Sequence, residues 1–306
     1  MATFTYPSID AATAFALCAV VDSGASYPAG WQACSSWGTS VENDGVFAIV
    51  AQNTNTEQLA IAIQGTQNGW DLLKDFHVIP QVQFAPINGA AIASGSSNGL
   101  SALLAMTNQS GETLQSFLES LNTGTYLLVT GHSLGGNLAS VLTPWIAANI
   151  AAFGGSGQPL SSLPANLNAI TFAAPTAGNE AFAAFLNDNS ANYQANFNTN
   201  DVIPYAWATS GPWNVSNVDN LFPSPGPNPA PSQVQSLIAV KIKEMKIAKV
   251  SYTQTNGTSF AFATVPGSGD APWMWEMEYQ HNYAYCVQFL GTQGGCQPPA
   301  ASTVEH

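Results

Sequence analysis

The sequence predicts an α/β fold in which a mostly parallel central sheet carries helices on both faces and opens with an antiparallel N-terminal hairpin. Three observations lead there. Residues 47–52 and 59–64 are apolar, β-rich runs on either side of the polar turn 53–57, which is the pattern of an antiparallel pair. From residue 126 onward short apolar strands alternate with helical periodicity, the βαβ rhythm that requires a parallel sheet covered on both faces. Helical spacing of Ala, Leu and Val over residues 8–22, with Ser8 as expected cap, supplies a helix ahead of the hairpin.

The remaining elements follow in order. Helical patterns recur at 102–106 and 113–121. A buried-type strand is expected at 126–130, then a glycine-rich turn and an Ala-rich helix at 137–150. A further strand at 169–173, a helix at 180–186 and an alternating run at 192–198 continue the rhythm. Residues 223–231 hold five prolines in nine positions and read as a connector. Residues 232–265 read as an insertion, a helix at 234–250 followed by a hairpin at 252–263 around Asn256-Gly257, before a loop carrying His281. No repeat divides residues 1–306, so a single domain is expected.

Composition narrows the partners. Hydrophobic residues make up 46% of the chain and charged ones 8%, too apolar for disorder. Five cations, all lysine, stand against 18 Asp+Glu, a net charge of −13, which argues against nucleic acid. Net repulsion from anionic membrane surfaces is also expected, leaving apolar surface for any lipid contact. No run reaches the length of a membrane span, so stable insertion is not expected. Four cysteines allow three pairings. Short-range pairing, Cys18–Cys34 and Cys286–Cys296, suits an exported protein whose signal has been removed. Four buried thiols in a cytosolic protein are the alternative.

The chemistry centres on Gly131-x-Ser133-x-Gly135. A serine on a tight strand-to-helix turn needs glycines two residues away on each side so that strand and helix can approach. The turn also sets Ser133 at a helix N-terminus, where free N–H groups favour an oxyanion. A serine nucleophile needs a base. Of four histidines, His132 lies inside the turn and His306 is terminal, leaving His77 and His281. In α/β-hydrolases the order is nucleophile, acid, histidine, which selects His281. Asp188, Asp201, Asp219, Asp270, Glu180, Glu244, Glu276 and Glu278 lie between them. Asp201 is preferred because it follows the strand-like run 192–198 and precedes Val202-Ile203-Pro204, at a strand's C-terminal edge. No zinc-ligand spacing is present, and the chemistry calls for no cofactor.

These motifs together resemble the class 3 (fungal-type) lipase family. Ile63-Gln64-Gly65-Thr66 is similar to that family's oxyanion strand end, Gly131 to Gly136 to its elbow, Thr171-Phe172-Ala173-Ala174-Pro175 with Gly178-Asn179 to its next strand and turn, Asn200-Asp201-Val202-Ile203-Pro204 to its acid loop, and His281 with its following tyrosines to its terminal motif. The chain departs from the pattern at Gln64 and Thr176, where the family has Arg, at Asn137, and at residues 94–100. The resemblance implies an α/β-hydrolase fold and a serine ester hydrolase, expected to be a triacylglycerol lipase. A feruloyl or short-chain esterase, a phospholipase A1, a non-catalytic relative and a peptidase are the alternatives. It also implies Thr66 and the backbone N–H of Leu134 as oxyanion donors, with an ordinary turn threonine as the other reading of Thr66. Residues 68–76 are amphipathic, with Trp70, Leu73 and Phe76 on one side. By the resemblance they form a lid, and by periodicity alone a core-packing helix.

Overall fold

A computed structural model describes residues 8–66, 73–74, 77–269, 271–292 and 294–300. Seven strands form the central sheet, lying side by side in chain order: β1 (Trp31–Ala33), β2 (Ala48–Asn53), β3 (Leu59–Ile63), β4 (Leu127–His132), β5 (Leu167–Phe172), β6 (Tyr193–Asn198) and β7 (Thr258–Phe260). β1, β2 and β3 pair antiparallel, with Val50 opposite Ile61. From β3 onward every pairing is parallel.

Side-chain alternation along these strands supplies the two layers. Leu59, Ile61 and Ile63 of β3 enter one apolar cluster while Ala60 and Ala62 enter another. The first face is covered by α2 (Ser94–Ala105), α3 (Leu114–Glu119), α4 (Leu134–Asn149) and α5 (Glu180–Asp188). Leu103, Phe117, Leu142 and Phe182 pack there. The opposite face takes α1 (Ala11–Ser23), through Ala14, Leu17, Cys18 and Val21, and the C-terminal helix, through Tyr285. Large residues on one side and alanines on the other let α1 approach its face of the sheet closely, since alanine keeps little side chain between helix and strand.

Three expectations change. The cap of α1 is Asp10, whose carboxylate accepts from the Thr13 N–H at 2.7 Å, so the helix begins later than residue 8. Residues 252–263 do not fold back as a hairpin. They yield the single strand β7, parallel to β6, because pairing with the β6 edge extends a sheet that is already parallel. The helix before it, α6 (Ser232–Ala248), does form.

The third change concerns the cysteines. Cys286 and Cys296 are joined, whereas Cys18 and Cys34 are free and buried. The sheet separates them. Cys18 lies in the α1-side cluster with its Sγ 3.4 Å from Thr130 Oγ1, and Cys34 lies in the other, beside Trp37 and against Ser36 Oγ at 3.1 Å. A disulfide needs Cα atoms within about 7 Å on facing vectors, which two sides of a sheet do not offer. In the folded protein, then, a thiol-alkylating reagent is expected to leave both unmodified, and full denaturation to release two reactive thiols. A Cys18–Cys34 cross-linked peptide in a non-reducing digest would contradict this arrangement.

Candidate active site

The site is built at the parallel end of the sheet, where β4 turns into α4. Gly131 and Gly135 make the turn sterically possible. A Cβ on Gly131 would lie 2.2 Å from the Gly135 carbonyl carbon, and one on Gly135 would lie 2.1 Å from the Ile63 carbonyl oxygen. Between them Ser133 has φ 57° and ψ −127°, a conformation costly for a residue with a side chain. Its N–H donates to the Phe172 carbonyl at 2.9 Å, so the neighbouring strand holds the turn. Its hydroxyl makes no capping bond to the helix that follows.

Ser133 Oγ stands 2.8 Å from His281 Nε2, and His281 Nδ1 stands 2.9 and 3.1 Å from the two Asp201 oxygens. All three side chains are buried. Asp201 is placed by the turn leaving β6, with one oxygen accepting from the Ile203 N–H at 3.0 Å. Glu276, a competing acid by chain order, points elsewhere: its Oε1 accepts from Gln280 Nε2 at 2.8 Å and from the Val265 N–H.

His281 sits not in a loop but in a π-helical turn, Tyr279–Tyr283, between α7 (Pro272–Glu278) and α8 (Ala284–Leu290). Such a wide turn sets one residue off the α-helical register, and here it brings the imidazole to the serine. Side chains from three elements hold it. Neutral His132 donates from Nε2 to the His281 carbonyl at 2.8 Å, its own basicity pulled well below the ordinary histidine range by burial and by the neighbouring His281. Asn198 at the end of β6 donates to the carbonyl and side-chain oxygens of Gln280 at 3.0 and 2.7 Å. Tyr285, four residues after His281, accepts the Asn198 N–H at 2.7 Å and hydrogen-bonds Asp201. His77 is exposed and its ring takes no part.

The expected oxyanion donors fall on either side of the serine. Leu134 opens α4, where the first N–H groups have no partner inside the helix. Gly65, just before Thr66, abuts Ser133: a Cβ there would lie 3.2 Å from that of Ser133. The last turn of α1 secures this strand exit, with Asp22 accepting the Gly65 N–H at 2.9 Å and Gln64 Nε2 donating to the Val21 carbonyl at 3.1 Å. Asp22 and Tyr285 escape a sequence reading, because neither lies in a motif and both reach the site only through packing of α1 and α8. Of the departures from the family pattern, Gln64 and Asn137 find partners, whereas the buried Thr176 hydroxyl has none among the described residues. Asn137 joins Ser96 Oγ at 2.8 Å to the Pro175 carbonyl at 3.1 Å, and residues 94–100 begin α2. Of the expected lid side chains, Trp70 and Phe76 lie outside the described residues. Leu73 is buried beside Val78, Val202 and Ile203. Among the described residues no group of three or more His, Cys, Asp or Glu is placed to hold a metal ion.

Electrostatics couple the buried groups. Burial disfavours charge on His281, but the charge and hydrogen bond of Asp201, helped by Glu278 and Asp22, lift its proton affinity above the ordinary 6.5. Burial pushes the Asp22 carboxyl up to about 7, opposed by the Gly65 N–H and His281. Both groups therefore hold their proton more tightly in the folded chain. Asp22 contributes stability that is complete below its ordinary 3.8 and fades as pH rises towards about 7, and the His281 contribution fades above 6.5. An NMR titration of the His281 ring is expected to show a midpoint above 6.5, moving to lower pH in Asp22→Asn and in Glu278→Gln, since each removes a negative charge. A midpoint unchanged by both would leave Asp201 as its sole determinant.

Comparison with known proteins bears on this geometry. Residues 60–210 match the family described as Lipase (class 3). Among solved structures, the M37 lipase superposes with a TM-score of 0.68 at 24% identity, covering 85% of this chain and 78% of that one. The lipase of Rhizomucor miehei, in a propeptide complex, gives 0.48 at 20% identity over 63% of this chain and 59% of that one. Lipase II from Rhizopus niveus gives 0.48 at 20% over 63% and 70%. None of the curated proteins matches. At these identities the structural likeness is one of fold, carried by the first of the three. Residues 60–210, which hold Thr66, Ser133 and Asp201, are those that match the class 3 lipase family, and the chain is a carboxylic ester hydrolase on the α/β-hydrolase fold.

Proposed function

We propose that the chain is a single-domain serine hydrolase of lipid esters, a triacylglycerol lipase, that works through an acyl-enzyme on Ser133. The observation that carries this reading is the 2.8 Å contact between Ser133 Oγ and His281 Nε2, on a strained turn, with Asp201 bonded to the far ring nitrogen. In the first half-reaction His281 Nε2 takes the Ser133 proton as Oγ attacks the ester carbonyl, then returns it to the departing alcohol. In the second, water attacks the acyl-serine by the same exchange. Asp201 keeps the Nδ1–H tautomer, so the lone pair faces the serine, and it stabilises the imidazolium between steps. The N–H groups of Leu134 and Thr66 would receive the negative oxygen. Secretion is part of the proposal, supported by the Cys286–Cys296 disulfide.

p-Nitrophenyl esters of rising acyl length test the substrate. Turnover that persists to long chains is expected, whereas a sharp preference for short or aromatic acyl groups would shift the reading to an esterase. A phospholipid-only activity would shift it to a phospholipase A1. On the accepted ester Ser133→Ala and His281→Ala are each expected to lower kcat on the order of 10⁶-fold, and Asp201→Asn on the order of 10⁴-fold. Near-normal turnover of Ser133→Ala, or labelling of a different serine by an organophosphonate, would sink the assignment. Thr66→Ala should cost about 3 kcal/mol of transition-state stabilisation if its hydroxyl supports the oxyanion, and little if only its backbone does.

A further inference from the structure

We infer that the outer face of α6 is a docking surface for an ester-water interface charged by ionised fatty acid. This deepens the proposed function and rests on it, because ester hydrolysis releases carboxylic acids that ionise and, when long-chained, stay at the surface where they form.

The first observation is where the cations are. Four of the five lysines, Lys241, Lys243, Lys246 and Lys249, fall on α6 or its cap, on a chain whose net charge is −13. Of these four, Lys241 is paired with Glu244 at 3.7 Å. Lys243, Lys246 and Lys249 make no ion pair with a described residue. The second observation is what lies between them. Val240 and Ile247 are 51% and 73% exposed, two of the three large apolar side chains left exposed among the described residues. Val240, Lys243 and Ile247 stand at i, i+3 and i+7, which is one side of a helix, and exposed Lys246 follows one turn after Lys243. Apolar side chains flanked by lysines that can reach up along their own stems are the composition of a helix that lies in a lipid surface.

The opposite side of α6 fixes its place. Val234, Ile238 and Met245 enter the cluster that also holds Leu73, Val202 and Ile203, the last two directly following Asp201. The helix thus packs on the acid side of the site, with its basic, apolar face turned outward. Net charge predicts repulsion from such a surface, but charges further than about 8 Å from it are screened at physiological salt, so the face presented outweighs the whole-chain sum. Each lysine brought to an anionic surface is expected to raise partitioning about fivefold.

The test is flotation of the full chain with vesicles of diether phosphatidylcholine, which has no ester to cleave, with and without oleate ionised at alkaline pH. Oleate is expected to increase binding severalfold, and added salt to reverse the increase. The double variant Lys243→Glu with Lys246→Glu is expected to lose at least tenfold of the oleate-dependent binding. Ile247→Ser is expected to weaken it while keeping the salt dependence. All variants should hydrolyse a soluble p-nitrophenyl ester at the parent rate, which also reports that they fold. Equal binding by parent and double variant, with ester hydrolysis intact, overturns the docking face and leaves the site standing. Charge-dependent binding by a parent chain that cleaves no ester overturns the proposed function instead.

Discussion

Everything at the site depends on how closely β4 and α4 approach across the turn at Ser133. The contacts available to a Cβ at Gly131 and Gly135 leave no room for any side chain, so backbone meets backbone. That proximity forces Ser133 into positive φ, and the N–H bond to Phe172 on β5 keeps it there. The sheet contributes because its order follows the chain: β3 on one side carries Gly65 to the serine, and β5 and β6 on the other set the anchor and the acid turn. A strained serine is tolerated because three parallel strands, each bonded to the next, over-determine its backbone.

Burial does the remaining work. An unpaired carboxylate in this interior would be costly, yet Asp201 has the imidazole, the Ile203 N–H and the Tyr285 hydroxyl around it. The same groups decide geometry, since each bond that satisfies Asp201 also sets its distance from His281. The π-turn is held by the same logic. Its freed backbone and side-chain groups find Asn198, His132 and the Glu276 carboxylate, which burial holds above the ordinary carboxylate range despite its bonds to Gln280 and Val265. Removing any one partner leaves a buried polar group unmatched, which is why the network acts as a unit.

Two of the substitutions that set this chain apart from the family pattern, Gln64 and Asn137, are absorbed locally. Gln64 cannot form the ion pair an arginine would, and its amide instead spans to the end of α1. Asp22 sits one residue further along and, because burial outweighs the Gly65 N–H and the His281 ring, keeps a proton to near neutrality. The consequence is that α1, far from the site in sequence, tightens the strand exit that precedes Thr66. On α6 the opposite has happened: cations have been concentrated rather than lost, on the side of the helix that the core does not use.

What the sequence by itself determined was local in character. Apolar alternation in 59–63, the Gly-x-Ser-x-Gly spacing and the order Ser133, Asp201, His281 each follow from neighbouring residues or from chain order, so the strands, the elbow and the three side chains that meet at the candidate site were legible. What only the tertiary structure decided involves residues distant in sequence whose meeting depends on packing. The two faces of the sheet separate Cys18 from Cys34 although sixteen positions divide them. The open edge of β6 draws residues 258–260 into a parallel strand where Asn256-Gly257 suggested a hairpin, because a turn signal is weak against an edge of unpaired backbone donors and acceptors. Asp22 and Tyr285 join the site from opposite ends of the chain for the same reason: burial brings polar groups together and makes them find partners, and no local pattern in the sequence records which partners those will be.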